Sequence, residues 1–107
     1  MINERISILE SFLKSEPEDP FNWYALAMEY KTSNPRKCKD HLNHLLEHFP
    51  CYLATYYQVA ELLIEDSKNK EAEEILEKGI ALARSQDDRN TLRELQNLLN
   101  NMLFDDN

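Results

Sequence analysis

Glycine is almost missing from this chain of 107 residues, which contains only Gly79. A phosphate-binding P-loop needs two glycines, and a dinucleotide-binding fingerprint needs three. The nucleophile elbow of the α/β-hydrolases needs two. The glycine count therefore excludes all three motifs.

Cysteine is also scarce, with Cys38 and Cys51 alone. If Cys38 lies on a helix that runs toward residue 48, the two Cα atoms are about 20 Å apart at a rise of 1.5 Å per residue. A disulfide requires a separation of about 7 Å or less. We therefore predict two reduced thiols and a cytoplasmic protein.

Basic residues and long apolar runs are in short supply as well. The chain has twelve Lys and Arg residues and twenty Asp and Glu residues, which gives a formal net charge of −8. This balance disfavours binding to nucleic acid or to an anionic membrane surface. No run approaches the roughly 20 apolar residues of a membrane span, and charges at Glu4, Arg5 and Glu10 predict that no signal peptide is present.

What the chain does contain is an internal repeat. Residues 21–31, FNWYALAMEYK, align with residues 54–64, ATYYQVAELLI, at an offset of 33. The segments that follow align at an offset of 34, so that Cys38 matches Ala72 and Leu42 matches Leu76. The size and the repeat predict a single domain, 1–107, made of a half repeat (1–17), two repeats (18–50 and 51–86) and a final helix (87–104).

Each half of a repeat is predicted to be a helix. Asp19–Pro20 and Asn34–Pro35 are helix-start signals, and apolar residues recur at steps of three and four. No segment alternates long enough to form a strand. The predicted helices are 3–15, 20–32, 35–48, 52–66, 70–84 and 88–103.

The pattern resembles the tetratricopeptide repeat (TPR) family, which stacks helix–turn–helix units of 34 residues. The resemblance rests on Trp23, Leu26, Ala27 and Tyr30 in a first helix and on a second helix ending before Pro50. It implies an all-α, right-handed stack of antiparallel helix hairpins, a TPR-like α-solenoid closed by a C-terminal capping helix. Arg84 departs from the pattern by replacing a Pro, and Leu45 and Gly79 occupy a place usually held by Ala.

Small residues are expected where helices approach closely. Ala27 and Ala60 occupy equivalent places in the two copies, and large aromatic side chains fill the space around them. Gly79 is expected to serve the same purpose, since a helical glycine costs about 1 kcal/mol against alanine and needs a packing reason.

The resemblance also implies a partner surface on the first helix of each pair. The stripe beside the buried one is the predicted binding surface, and we call it the interaction stripe. Its residues are Phe21, Tyr24, Met28, Lys31, Tyr57, Gln58, Glu61 and Ile64. The alternative is that these side chains pack against the final helix or are scattered surface residues. Tyr24, Met28 and Gln58 stand where chaperone-tail-binding relatives carry Lys, Asn and Arg, so an apolar or mixed ligand is expected.

Three histidines, His41, His44 and His48, fall on one side of a predicted helix. They suggest a metal- or pH-responsive regulator, but they lie off the side defined by Cys38 and Leu42. We predict a solvated face and no metal site.

Two further groups of residues are interpreted without a specific functional role. Basic residues near residues 31–39 and acidic residues from 65 to 77 are read as solvated edges, with head-to-tail association of copies as the alternative. His48 and Cys51 lack a third orienting group, so no catalytic residues are expected.

The sequence thus predicts a non-catalytic protein–protein interaction module without cofactors, which binds a protein or peptide. The second hypothesis is a homodimer formed through the interaction stripe.

Overall fold

The computed structural model describes residues 3–104, which form six helices and no strand. The helices are α1 (Glu4–Ser15), α2 (Pro20–Ser33), α3 (Pro35–His48), α4 (Ala54–Glu65), α5 (Asn69–Ser85) and α6 (Arg89–Phe104). All six predicted helices are present, and every boundary lies within two residues of its predicted place. The chain divides between Tyr52 and Leu53 into two compact units.

Side-chain caps explain where the first three helices begin. The Asp19 carboxylate accepts a hydrogen bond from the Phe21 amide at 3.0 Å, with Pro20 in the first turn. The Asn34 side chain accepts one from the Lys37 amide at 3.3 Å, again ahead of a proline. Both predicted starts are confirmed. Asn3 caps α1 in the same way, because its side chain accepts from the amides of Arg5 and Ile6.

The ends of α4 and α5 use a different device. Ser67 and Asp87 have φ values of 61° and 55°, which lie in the left-handed region. The Lys68 amide donates to the Leu63 carbonyl at 2.8 Å and the Ser67 amide to the Ile64 carbonyl at 2.9 Å. This double pairing is the Schellman motif, which satisfies the last carbonyls of a helix. Asp87 and Asp88 repeat it after α5, so the repeat that lacks a proline at residue 84 still ends sharply.

In the first unit, α2 packs against both α1 and α3. Leu26, Ala27, Leu42 and Leu45 are essentially inaccessible, at 1% or less of their surface. Ala27 is fully buried, as its predicted place in a helix contact requires. Cys38 is buried and Cys51 is exposed, and both are free thiols.

In the second unit, α4 pairs with α5, and α6 packs against both of them. Ala60, Leu76 and Leu95 are fully buried. A Cβ atom added to Gly79 would lie 2.8 Å from the Cβ of Tyr56 and 3.2 Å from a methyl carbon of Leu95. Gly79 thus permits a close approach of the helices, which confirms the packing reason expected for it.

Candidate functional site

The α2 half of the interaction stripe lies in the first unit. Phe21 is 56% exposed, an unusual degree for a phenylalanine. Tyr24 and Met28 are half-buried and Lys31 is exposed. The Tyr24 ring lies 5.7 Å from the ring of Tyr52, in a tilted arrangement typical of aromatic pairs. This half of the stripe therefore combines an accessible aromatic ring with partly covered apolar groups.

The α4 half of the stripe lies in the second unit. Tyr57, Gln58, Glu61 and Ile64 recur at helical spacing and are all half-buried. None of the four is fully buried. The buried residues of this helix are Thr55, Tyr56, Val59 and Ala60. The side chains of the stripe therefore keep part of their surface accessible.

The three histidines do not form the solvated face that the sequence predicted. The imidazole of His44 stacks on the indole of Trp23, with ring centroids 3.7 Å apart and an angle of 20° between the planes. His41 lies 5.4 Å from Trp23 and 5.6 Å from Tyr30. The prediction is therefore wrong for His41 and His44, which are half-buried, and holds for the exposed His48.

Trp23 reaches these histidines because its own position is fixed. Its indole N–H donates a hydrogen bond of 2.7 Å to the carbonyl of Pro17, in the turn between α1 and α2. The ring then extends across the α2–α3 contact onto α3. The Trp23 side chain of α2 thus covers a side of α3 that the periodicity of α3 alone predicted to be exposed to solvent.

Burial sets the protonation of this cluster. It lowers the pKa of His41 and that of His44 below the usual 6.5. The Nδ1 of His41 lies 2.9 Å from the Lys37 carbonyl. Because a carbonyl can only accept, Nδ1 donates its proton there, and the ring must take up a second proton at Nε2 to become charged. Both imidazoles are therefore neutral near pH 7.

A second polar contact, absent from the sequence predictions, joins α1 to α2. The Tyr30 hydroxyl donates a hydrogen bond of 2.6 Å to the Glu10 carboxylate. The pKa of Tyr30 is raised to about 12, mainly by burial and to a smaller extent by the Glu10 carboxylate. The Asn22 amide, also buried, donates to the carbonyls of Phe12 and Glu16. These bonds fix α1 on α2, and no signal in the repeat pattern pointed to them.

Residues 3–104 hold no group of three or more His, Cys, Asp or Glu side chains arranged to bind a metal ion. In the same part of the chain, no helix combines the length and apolar character needed to cross a bilayer.

Solved structures provide the comparison that decides the family. The crystal structure of a tetratricopeptide repeat domain protein from Salinibacter ruber is 32% identical in sequence and superposes with a TM-score of 0.74. The match covers 78% of this chain and 94% of that protein. The chain belongs to the tetratricopeptide repeat family.

Two further solved structures are similar to this chain. A solution NMR structure of a tetratricopeptide repeat domain protein from Salinibacter ruber is 31% identical, with a TM-score of 0.74 over 80% of this chain and 88% of that one. The solution structure of a Bordetella parapertussis protein, 22% identical, has a TM-score of 0.79 over 98% of this chain and 92% of its own. The latter supports the fold alone. No family model matches the chain, and neither does any curated protein.

Membership in the TPR family confirms the predicted fold class, an all-α array of helix hairpins. It also supports a general role as a protein-interaction repeat module.

Proposed function

We propose that this TPR chain is a non-catalytic module that binds a partner peptide or helix through the interaction stripe. It needs no cofactor for this purpose. Phe21, Tyr24 and Met28 supply apolar contacts on α2, and Tyr57 and Ile64 do so on α4. Lys31, Gln58 and Glu61 add polar contacts that select the partner.

The observation that carries the proposal is the accessible apolar surface on α2. Phe21 is 56% exposed, and Met28, about two helical turns away on the same helix face, keeps part of its surface accessible. Aromatic side chains and methionine are enriched in protein interfaces, and methionine adapts its shape to irregular partners. A partner that covers Phe21 would remove an apolar ring from water.

The ligand we expect is short. Two full repeats supply only two first helices, so the stripe offers room for one helix or a brief extended segment. In similar helical-repeat proteins the first helices line the concave surface that binds partners, and this likeness supports the choice of the interaction stripe. The stripe carries tyrosines at the equivalent positions 24 and 57, which suits recognition by aromatic anchors.

Alanine substitution of Tyr24, Met28 and Tyr57 together tests the proposal. The immobilised chain and its variants are exposed to extract of the native cell, and captured proteins are identified by mass spectrometry. Truncating an aromatic anchor costs about 2 kcal/mol or more, so we expect the triple variant to lose the partner. The matched control is Ile8→Ala with Phe12→Ala, which removes apolar groups that are 55% and 52% exposed outside the stripe. The control should keep the partner.

Circular dichroism and the melting temperature keep the outcome interpretable. A triple variant that unfolds would assign these three side chains to the core and overturn the stripe. A folded variant that still captures every partner would place the interaction elsewhere. A dimer seen by light scattering, and converted to a monomer by the triple variant, would replace the external partner by a second copy of the chain.

A further inference from the structure

An open cavity of about 270 Å³ lies in the first unit among α1, α2 and α3. None of its lining residues belongs to the interaction stripe. Leu13 from α1 and Leu26 from α2 form the apolar part of the lining. The polar part comes from all three helices and consists of Glu10, Lys14, Tyr30, Lys37 and His41. The cavity thus has the usual composition of a small-molecule site, an apolar wall with a few convergent polar groups.

Two ammonium groups in this lining have no anionic partner. Lys14 and Lys37 are both exposed, and neither forms an ion pair with any residue between 3 and 104. The Lys37 ammonium lies 5.2 Å from the centroid of the Tyr30 ring, and that contact holds it on the side of α2. The two charges are therefore available to a ligand.

The opposing charge in the cavity is already engaged. Glu10 carries the lone carboxylate of the lining, and it accepts the hydrogen bond of 2.6 Å from the Tyr30 hydroxyl. His41 is neutral near pH 7, because burial lowers its pKa. Two ammonium groups against one carboxylate leave one net positive charge, which matches a monoanion. A dianionic phosphate would be opposed by Glu10.

We propose that this cavity binds a small monocarboxylate with an apolar body. The carboxylate pairs with Lys14 and Lys37, and the apolar body lies against the half-buried Leu13. The cavity volume equals that of about nine groups of roughly 30 Å³, the share of one water molecule in the liquid. A carboxylate the size of octanoate fills it, whereas acetate leaves most of it to water.

The test is a titration of the ¹⁵N-labelled full chain with sodium octanoate, followed by amide chemical shifts. Octan-1-ol serves as the neutral probe and sodium acetate as the short one. We expect saturable shifts at amides around Leu13, Tyr30 and His41. Binding of octan-1-ol and of acetate should be weaker than that of octanoate by about tenfold, because each lacks one of the two recognised parts.

Charge substitutions in the cavity should change octanoate binding in opposite directions. Lys14→Gln and Lys37→Gln should each weaken octanoate binding by about three- to tenfold, as expected for one partly solvated ion pair. Glu10→Gln should strengthen it, since it removes the like charge while its amide oxygen still accepts from Tyr30. The matched control is Lys78→Gln, an exposed lysine on α5 in the other unit, and it should leave binding unchanged.

Several results would overturn the proposal. One is the absence of saturation by about 10 mM octanoate, since a site weaker than this contributes under about 3 kcal/mol. Others are octan-1-ol binding as tightly as octanoate, shifts that map away from the cavity, and an equal loss in Lys78→Gln. Because the stripe and the cavity share no residue, the Tyr24, Met28 and Tyr57 triple variant should bind octanoate normally. Failure of one proposal is therefore distinguishable from failure of the other.

Discussion

Trp23 and His44 form a stacked pair, with ring centroids 3.7 Å apart. His48 follows at 4.4 Å from His44, and its Nε2 lies 3.3 Å from the Glu47 carboxylate. At the scale of single residues, this cluster shows how a sequence can mislead. The three histidines share a side of α3, yet only His48 stays in solvent.

The helical period explains both the success and the failure of the histidine prediction. The period identifies which side chains of α3 share the buried side with Cys38 and Leu42. It carries no information about how far a large side chain on α2 extends over α3. The indole of Trp23 spans that distance because its N–H is tied to the Pro17 carbonyl at 2.7 Å. A tertiary contact of this kind has no signature in local spacing.

The buried histidines predict a stability that depends on pH. Burial is the main cause that lowers the folded-state pKa of both His41 and His44 from 6.5. For His41 the Lys37 carbonyl and the charges of Asp40 and Glu10 act in the opposite sense, while Lys37 adds to the lowering. For His44, Glu47 opposes the lowering, and His48 and His41 add to it.

The sign of the pH effect follows from linkage. The unfolded chain takes up protons at the ordinary pKa of 6.5, while the folded chain takes them up only at lower pH. The stabilisation is complete above about pH 6.5 and is lost as the pH falls from there through the folded pKa values. We expect a lower free energy of unfolding at about pH 5.5 than at about pH 7.5, a range in which ordinary carboxyl groups stay ionised.

The measurement is urea unfolding followed by the fluorescence of Trp23, the sole tryptophan of the chain. The variant His44→Gln should show a smaller fall in stability between the two pH values, because it removes one of the two titrating groups. His48→Gln is the control on an exposed histidine; it removes only one of the lesser causes that lower the pKa of His44, so it should reduce the pH dependence less than His44→Gln does. Equal pH dependence in all three chains would refute the assignment.

At the scale of helices, starts were more predictable than ends. The Asp19 and Asn34 caps could be read directly, since a short polar side chain followed by proline is a local signal. The ends of α4 and α5 depend on Ser67 and Asp87 in the left-handed region, where glycine or asparagine is the usual residue. Because that marker is missing, local spacing does not indicate the motif, although both boundaries were predicted within two residues.

Gly79 carries the clearest prediction at this scale. Gly79→Ala gains about 1 kcal/mol of helix propensity, but its new Cβ would lie 2.8 Å from the Cβ of Tyr56. Neither atom is the end of a flexible chain, so the helices must separate, at a cost of about 1–3 kcal/mol. We expect net destabilisation in urea unfolding.

A matched substitution separates this packing effect from helix propensity. Ala81 is exposed on the same helix, and Ala81→Gly should cost about 1 kcal/mol through propensity alone. If Gly79→Ala stabilised the chain by a similar amount, the close contact with Tyr56 would not exist as described.

At the scale of the whole molecule, most of the fold was predicted from the internal repeat. The offsets of 33 and 34 residues gave the number of helices, their pairing and the TPR resemblance, because a repeat reports the same packing twice. Hydrogen bonds between side chains and groups of neighbouring helices could not be predicted from the repeat. The Tyr30–Glu10 hydrogen bond and the buried amide of Asn22 each occur once and have no second copy to reveal them.

The interaction stripe is likewise a prediction from periodicity. The spacing indicates which helix side adjoins the buried one, and the structure shows that Phe21 on that side is exposed. The identity of a partner is a property of two surfaces, so one sequence supplies half of what determines it. Phe21 and Phe12 provide a matched pair for a direct test, since they are the same residue type at 56% and 52% exposure.

The measurement that tests the central claim most directly is photo-crosslinking from these two positions. A benzoylphenylalanine is placed at residue 21 or at residue 12 of the full chain, which is then irradiated in the native cell. The account predicts a discrete crosslinked protein from residue 21 that is absent from residue 12 and is lost when Tyr24 and Met28 are also changed to alanine. Crosslinks of equal yield and identity from both positions, or from residue 12 alone, would contradict it.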